Sequence, residues 1–305
     1  MFIKAFINME RHQQQMQTSE YRAALNTIGK RFALSAVMTA LMGFATLQAS
    51  AADLNVCAGE NELPFSSQNK DGFENDIARV LGTAMQRNVN FVWWKDPRYT
   101  VRDFLDKNKC DVMLGVDKDD PRVLVTKPYY KTGYVFITRK DRGIDISSWN
   151  DDYLKERNFR IGVLPDSPGK VMLLQINRFD DMFDYLTELT DYQSTRNKYV
   201  KIDVSKLVTD VENKHLHASM LWAPEAARYV RDNNAQSGKA PLSMVLVKDD
   251  ARKVNGDKVP MQYEVVMGVR KNDTALRDEL NRVLAAKRGD IDAILKREGI
   301  PLLPL

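Results

Sequence analysis

The fold class of this chain is decided by one stretch, Cys110-Asp-Val-Met-Leu-Gly-Val-Asp-Lys-Asp-Asp-Pro-Arg122-Val-Leu-Val-Thr-Lys-Pro-Tyr-Tyr130. It opens with a short apolar run, residues 112–116, which predicts a buried strand. Three aspartates, a proline and Arg122 follow directly, and α/β proteins bind ligands where such strands end. The stretch therefore predicts a ligand-facing loop at the edge of an α/β sheet. An ordinary solvated loop explains the same residue types equally well.

Strand and helix patterns alternate before this stretch. Residues 54–58 and 89–94 have the pattern of strands, and residues 72–85 and 100–108 carry apolar side chains on one helical face. Together with the strand at 112–116 they give the order β-α-β-α-β. This order predicts an α/β fold with a parallel sheet and right-handed crossovers.

Two long strands are predicted to connect two lobes. Residues 129–138 leave the first lobe, a new βα pattern follows, and residues 263–270 return to it. We therefore predict a discontinuous first lobe, 53–138 and 264–305, and a second lobe, 139–263, with a cleft between them. A chain of 305 residues is long enough for two lobes of ordinary domain size.

The first 52 residues are predicted to be a secretory signal peptide with an unusually long polar n-region. Lys30 and Arg31 precede a 16-residue apolar run, residues 32–47, and an Ala-x-Ala site ends at Ala51. A membrane anchor is the alternative, but the run is shorter than the roughly 20 residues that span a bilayer. We predict export to the periplasm and a mature chain without a membrane span.

The remainder of the chain is close to electrically neutral. After residue 52, the sequence has 40 Lys and Arg against 39 Asp and Glu, and the two signs are interleaved. A nucleic-acid-binding protein would concentrate basic residues in one patch. We therefore predict no nucleic-acid partner.

The mature chain is predicted to contain one disulfide bond. Cys57 and Cys110 are its two cysteines, and thiols oxidise in the compartments to which exported proteins travel. Each cysteine lies in or next to a predicted strand, and those strands can be neighbours. A redox role is disfavoured because the sequence has no Cys-x-x-Cys pair.

Motifs spread over residues 54–303 resemble the family 3 extracellular solute-binding proteins, which have the type II periplasmic-binding-protein fold. The motifs are Leu63-Pro-Phe65, Gly72-Phe-Glu-Asn-Asp-Ile77, Cys110-Asp-Val, Gly115 to Arg122, Lys127-Pro-Tyr-Tyr130, Arg160-Ile-Gly-Val163 and residues 267–281. The resemblance implies a two-lobed α/β protein with a cleft and two hinge strands.

A narrower group of these proteins is similar over further motifs. The stretches Phe73-Glu-Asn, Trp93-Trp-Lys-Asp-Pro-Arg-Tyr99, Asp120-Pro-Arg-Val-Leu124 and residues 128–136 resemble the binding-protein-like components of bacterial methanol oxidation systems. This resemblance implies a periplasmic accessory that binds subunits of the quinoprotein methanol dehydrogenase and assists its assembly or activity.

The chain departs from the amino-acid receptors of the wider family at two positions. Those receptors hold the ligand carboxylate with an Arg seven residues after a Gly and a Thr two residues after that Gly. Gly115 and Arg122 keep the spacing, but Asp117 stands at the Thr position and would repel a carboxylate. His217 is predicted to stand where the family has an acid for the ligand amine. Both changes argue against binding of amino acids.

Seven side chains are predicted to line the cleft, namely Glu62, Phe65, Asp117, Arg122, Ser167, His217 and Trp222. Trp93 and Trp94 are predicted contacts with a protein partner, because they point to opposite faces of a strand and one of them can be exposed. No catalytic, metal or cofactor-binding residue is predicted. The pair His215 and His217 lacks the further ligands of a zinc site, and the acidic loop lacks the spacing of a calcium loop.

The sequence thus predicts a protein that acts by binding rather than by catalysis, without a cofactor. Methanol dehydrogenase is the predicted partner. The alternative is a solute receptor of an ABC transporter whose small ligand is not an amino acid. Cyclohexadienyl dehydratases share the fold, so an acid-catalysed enzyme is a third interpretation.

Overall fold

A computed structural model describes residues 52–194, 196 and 198–305. Its strands are β1 (Leu54–Gly59), β2 (Asn61–Glu62), β3 (Ser66–Ser67), β4 (Val89–Trp94), β5 (Val112–Asp117), β6 (Leu124–Val125), β7 (Tyr130–Arg139), β8 (Ile161–Val163), β9 (Ala218–Trp222), β10 (Leu242–Leu246) and β11 (Gln262–Val269). Its α-helices are α1 (Phe73–Met85), α2 (Pro168–Gln175), α3 (Phe179–Leu189), α4 (Val204–Glu212), α5 (Ala223–Ala235), α6 (Thr274–Ala286) and α7 (Arg288–Arg297).

The predicted signal peptide, residues 1–52, lies outside the described residues except for Ala52. Across the described part of the chain, no helix combines the length and the apolar character needed to cross a bilayer. The predicted α/β class is confirmed, since strands and helices alternate around one main sheet.

The first half of the main sheet is built around β5, the strand that leads into the acidic loop. The main path of the sheet has the order β4-β1-β5-β11-β7-β9-β8. Strand β5 pairs in parallel with β1 and antiparallel with β11. Helices α1, α6 and α7 bury Ile77, Leu81, Leu280 and Leu295 against this half. Each such side chain contributes about 1.5–3 kcal/mol by leaving water.

The helix predicted over residues 100–108 is largely wrong. The structure has a short 3₁₀ turn, Pro97–Tyr99, and one π-helical turn, Val101–Leu105. Asp96 accepts a hydrogen bond from the backbone N–H of Arg98 and begins the first turn. The left-handed conformation of Asn108 comes soon after the second turn. The apolar spacing therefore buries Val101 and Leu105 without producing a full helix.

The predicted disulfide bond between Cys57 and Cys110 is confirmed, and their Cα atoms lie 5.4 Å apart. Cys57 lies in β1, and Cys110 comes just before β5, which pairs with β1. Both cysteines are buried in an apolar cluster that includes Leu105. Val101 and Leu105 thus pack the two helical turns of residues 97–105 against the sheet, next to the disulfide bond.

Strand β7 joins the two halves of the sheet. Its residues 130–133 pair with β11, whereas residues 134–139 pair with β9 and β10. The second half of the sheet has its own buried clusters around Phe136 and Val135, covered by α2, α3, α4 and α5. The lobe boundaries predicted at 138/139 and 263/264 stay a prediction, while the hydrogen-bond partners of β7 change at Gly133 and Tyr134.

Candidate ligand cleft

A cleft opens where several strands of both sheet halves end. It consists of two adjoining cavities of about 640 Å³ and about 460 Å³, both open to solvent, which we name the outer groove and the inner pocket respectively. Residues after β1, β5, β8 and β9 contribute to it, as expected for the carboxyl ends of strands in an α/β sheet. Four residues line both cavities, namely Phe65, Tyr134, Asp166 and Glu225.

Three aromatic side chains in the lining of the inner pocket contact one another. The ring centroids of Tyr134 and Trp222 lie 5.4 Å apart, and Tyr263 lies 6.3 Å from Tyr134 and 5.9 Å from Trp222. All three line the pocket and are half-buried. Tyr134 and Trp222 are direct cross-strand partners in β7 and β9, so the backbone register fixes their contact. We refer to Tyr134, Trp222 and Tyr263 as the aromatic box.

Two glutamates near the aromatic box have raised pKa values. Burial, followed by the charge of Glu62, raises the pKa of Glu225 to about 7. Burial also raises the pKa of Glu62, while the Lys201 charge and a hydrogen bond from Tyr199 act in the opposite direction. Glu225 is therefore only partly ionised near neutral pH, and its charge depends on what occupies the cleft.

The segment before α4 crosses to the other side of the outer groove. The Tyr199 hydroxyl lies 3.3 Å from each carboxylate oxygen of Glu62. The Lys201 ammonium donates to the carbonyl oxygen of Asn61. These contacts connect residues that are 137 and 140 positions apart, so they hold the groove's two walls together.

Glu74 lies beneath the wall of the inner pocket that Gly115 forms. Gly115 has φ of +68°, and a Cβ added there would come 2.5 Å from Glu74 Oε1. Burial raises the pKa of Glu74 to about 8. The same carboxylate raises the pKa of the buried Tyr129 and Tyr130 hydroxyls, after the larger effect of their own burial. Glycine at position 115 thus leaves the room that this carboxyl group occupies.

Glu74 is expected to make the folded state less stable as the pH rises. Between its ordinary pKa of 4.5 and about 8, the folded protein holds a proton that the unfolded chain releases, so stability falls through that window. Residual solvent contact reduces the effect, and we expect Glu74→Gln to raise the free energy of unfolding by about 2 kcal/mol at pH 8.5.

Urea unfolding of both proteins at pH 5 and pH 8.5 measures the difference. At pH 5 the expected gain from Glu74→Gln is much smaller, because a neutral carboxyl group and an amide are similar there. The exposed Glu156 offers a control, Glu156→Gln, that should change little at either pH. An equal gain from Glu74→Gln at both pH values would contradict the assignment.

The predicted cleft residues fall into two groups. Glu62, Phe65 and Ser167 line the outer groove, and Phe65, Asp117 and Trp222 line the inner pocket. Ser167 is buried and precedes α2, but its hydroxyl donates to the carbonyl oxygen of Leu164 rather than capping the helix. Whether these side chains touch a ligand stays a prediction.

Arg122 is not in the cleft, contrary to the prediction. Its guanidinium donates to both oxygens of the Asp120 carboxylate, from Nη2 to Oδ2 at 2.7 Å and from Nε to Oδ1 at 2.9 Å and Oδ2 at 3.2 Å. This pair lowers the pKa of Asp120, chiefly through the side-chain hydrogen bond. Arg122 lines a different surface cavity together with Tyr99 and Arg270. Arg122 is therefore paired within its own loop, on a surface away from the inner pocket.

His217 is also outside the cleft, contrary to the prediction. It comes just before β9, whereas the cleft lies at the other end of that strand, where Trp222 stands. Its Nδ1 accepts the backbone N–H of Arg160 at 3.0 Å, and its ring stacks on Phe159. Within the described residues, no group of three or more His, Cys, Asp or Glu side chains could hold a metal ion.

The predicted partner contacts lie on β4, the strand at one end of the main sheet. Trp93 stacks on Phe91 with ring centroids 5.3 Å apart, and Trp94 packs toward the cluster that contains Cys57. Both tryptophans are half-buried. Trp93 is thus the more plausible contact, because Trp94 is occupied by the protein's own core.

Sequence patterns did not identify Tyr134, Tyr199, Glu225 and Tyr263 as cleft residues. Tyr134 and Tyr263 lie within the two predicted connecting strands, where a tyrosine is ordinary. Glu225 lies in the first turn of α5, where acids are common because they favour the helix dipole. A useful signal was the predicted crossing of those two strands, because the middle of β7 and the start of β11 lie beside the cleft.

The type II periplasmic-binding-protein architecture and its cleft define a class of binding proteins. The family model for bacterial extracellular solute-binding proteins, family 3, matches residues 54–297. The chain belongs to this family.

Its similarity to particular members is extensive. Protein MoxJ of Methylorubrum extorquens is 43% identical over 256 residues, covering 84% of this chain and 83% of that protein. Protein MoxJ of Paracoccus denitrificans is 37% identical over 260 residues, covering 84% of this chain and 91% of that protein. The crystal structure of MxaJ from Methlophaga aminisulfidivorans has 40% identity and a TM-score of 0.76, covering 82% of this chain and all of that one.

Proposed function

We propose that this protein is a periplasmic accessory of a methanol oxidation system that binds the quinoprotein methanol dehydrogenase and assists its assembly or activity. The observation that carries the proposal is the similarity to MoxJ and MxaJ proteins over more than four fifths of the chain. Membership of an extracellular family supports export. The protein's contribution would be binding, with the chemistry left to the dehydrogenase.

The cleft supports this proposal by being unsuited to amino acids. Arg122, which could have held a carboxylate, pairs with Asp120 instead. Asp117, Asp166 and Glu225 line the inner pocket and would repel a carboxylate. In the inner pocket, the carboxylate of a zwitterionic amino acid would therefore have no cationic partner among the lining residues. The Lys and Arg side chains of the cleft line the outer groove.

The edge of the sheet at β4 offers a surface for the partner. An edge strand presents unpaired backbone N–H and C=O groups on one side, and a partner strand can add there. Trp93 lies on this strand and is half-buried. A large aromatic side chain next to free backbone groups is typical of the residues that dominate protein interfaces.

The mature protein, immobilised on a resin, is expected to retain methanol dehydrogenase subunits from a periplasmic extract. With purified dehydrogenase, we expect Trp93→Ala to weaken the dissociation constant roughly 30-fold, as removal of an interface hot spot would. Titration calorimetry measures both proteins. Tyr153→Ala is the matched control, because Tyr153 is an exposed aromatic residue that lies outside β4.

Two results would count against these proposals. Failure to retain the dehydrogenase would contradict the accessory function. Retention with unchanged affinity of Trp93→Ala would contradict β4 as the contact surface and leave the function standing. Thermal unfolding of each variant shows whether a loss of binding is a loss of folding.

The inner pocket supports a second candidate, a receptor for a small solute other than an amino acid. Its volume of about 460 Å³ is within the range of ligand pockets in proteins. Such a receptor would be stabilised against heat by its solute, by about 2.7 kcal/mol at 100 times the dissociation constant. Stabilisation by a solute without retention of the dehydrogenase would favour this candidate.

A further inference from the structure

The inner pocket presents aromatic faces in several directions. The interplanar angle is 57° between Tyr134 and Trp222, 71° between Tyr134 and Tyr263, and 76° between Trp222 and Tyr263. The three rings therefore pack against one another and form one aromatic wall of the pocket. Phe65 and Tyr130 bring the number of aromatic residues in the described lining to five. The face of each ring carries partial negative charge.

The charged groups of the inner pocket are acidic. Asp117, Asp166, Glu225 and Glu264 line it, and its described lining residues include no Lys, Arg or His. Lys118 Nζ lies 3.0 Å from Glu264 Oε2, so this acid is partly neutralised from outside the pocket. The remaining carboxylates have no cationic partner among the inner pocket's lining residues, and they add a negative field to that of the aromatic faces. Asp166 and Glu225 also line the outer groove, whose lining includes the cations Arg98, Lys170, Lys198 and Lys201.

We propose that the inner pocket binds a small organic ammonium ion. A cation that lies over the face of an aromatic ring is attracted by the ring's quadrupole, and the attraction is strongest when the cation is desolvated. A neutral solute would leave the carboxylates unpaired, and an anion would be repelled by them. A methylated ammonium group is weakly hydrated and apolar on its surface, so it suits both the rings and the carboxylates.

Trp222 and Glu225 have the main roles in this site. Trp222 offers the ring with the strongest cation–π attraction, and it is held in place by its cross-strand partner Tyr134. Glu225 comes three residues later, in the first turn of α5, and supplies the counter-charge. The inference is independent of the dehydrogenase partner, because the pocket and the β4 edge are formed by different residues.

Binding is expected to strengthen as the pH rises through about 7, where Glu225 ionises. Glu225 also faces the outer groove, whose charged lining residues are Glu62, Arg98, Asp166, Lys170, Lys198 and Lys201. Glu62, Tyr134, Tyr199 and Tyr229 are the titratable groups whose charges are coupled to Glu225. The three tyrosine hydroxyls have raised pKa values and stay neutral in this range. Ionised Glu225 attracts the ammonium, whereas the protonated form does not, so affinity is higher at pH 8 than at pH 6.

Titration calorimetry of the mature protein with three compounds tests the inference. Choline carries a trimethylammonium group, 3,3-dimethyl-1-butanol is its neutral isostere, and glycine betaine adds a carboxylate to the same cation. We expect choline to bind at least about tenfold more tightly than either of the others. Equal binding of the neutral alcohol, tighter binding of betaine, or no binding of choline at millimolar concentration would overturn the proposal.

Two variants locate the site. Trp222→Leu is expected to weaken choline binding roughly 30-fold, and Glu225→Gln should remove the rise in affinity between pH 6 and pH 8. Tyr153→Leu is the control, since Tyr153 is exposed and lines neither cavity among their described lining residues. If Trp222→Leu fails to fold, Glu225→Gln and the comparison of the three compounds still decide. Retention of the dehydrogenase, measured separately, distinguishes failure of this proposal from failure of the proposed function.

Discussion

Replacing Cys57 and Cys110 together with alanine is expected to lower the free energy of unfolding by about 4 kcal/mol. The disulfide closes a loop with a sequence separation of 53 residues, and it restricts the unfolded chain by that length. The loop contains α1 and β4, so the bond connects β1 to the segment just before β5 across the whole first βαβ unit. Both cysteines are buried, so the removal of two sulfur atoms from the core adds a cavity cost to the loss of the bond.

Urea unfolding monitored by tryptophan fluorescence measures this difference. The matched control is chemical: a reductant should lower the stability of the natural protein by a similar amount and leave the alanine variant unchanged. If the free energy of unfolding of the double variant falls by less than about 1 kcal/mol, the prediction is contradicted, and the disulfide does little to restrict the unfolded chain. The choline measurements can be repeated on the variant at low temperature, because the disulfide does not line the inner pocket.

The strands of the first half could be predicted because their signals are local. The apolar run at β5 and the alternation in β4 depend on residues that adjoin one another in sequence, and an exported chain with two cysteines pairs them. The extent of the helix after β4 could not be predicted in this way. A spacing that buries Val101 and Leu105 fits one π-helical turn as well as it fits a full helix.

The predicted position of His217 in the cleft was wrong, because sequence patterns do not show how a strand pairs with its neighbours. They showed that a polar residue precedes a strand, but the side of the sheet on which that strand ends follows from its pairing. Strand β9 runs antiparallel to β7 and parallel to β8, which places Trp222 at the cleft and His217 at the opposite end. The predicted position of Arg122 in the cleft was also wrong. Its guanidinium pairs with the carboxylate of Asp120, two residues earlier in the sequence.

The aromatic box required the three-dimensional structure. Tyr134 pairs with Trp222 across β7 and β9, while Tyr263 pairs with Thr132 across β11 and β7. These pairings join residues that are about 90 to 130 positions apart in sequence. No local pattern specifies such a register, because it depends on which strands become neighbours. Only Trp222 of the three was predicted to line the cleft.

The second large effect is expected at the ion pair that anchors α5. Arg228 Nε lies 2.7 Å from Glu298 Oε2, with 17% and 6% of the two side chains exposed. Arg228 Nη2 also donates to the carbonyl oxygen of Asp71, so α5 is tied to the segment before α1 and to the end of α7. Removing one partner of a buried pair leaves the other charge uncompensated, at a cost of about 3–5 kcal/mol.

Glu298→Gln keeps the shape of the side chain and removes its charge. We expect it to lower the free energy of unfolding by about 3 kcal/mol. This value is at the lower end of the range because the Arg228 side chain keeps some solvent contact. The control is Asp152→Asn, which removes the acid of an exposed pair with Lys155 and should cost less than about 1 kcal/mol. Urea unfolding measures both variants under the same conditions.

The same variant connects stability to the cleft. Helix α5 begins directly after Trp222, carries Glu225 in its first turn and meets Glu298 through Arg228 one turn later. Loosening that anchor should therefore displace Glu225 and weaken choline binding, even at temperatures where the variant is fully folded. A loss of stability with unchanged affinity for choline would show that the strand pairing of Trp222 alone positions the inner pocket. Equal stabilities of Glu298→Gln and Asp152→Asn would show that Arg228 is already satisfied by the Asp71 carbonyl and solvent.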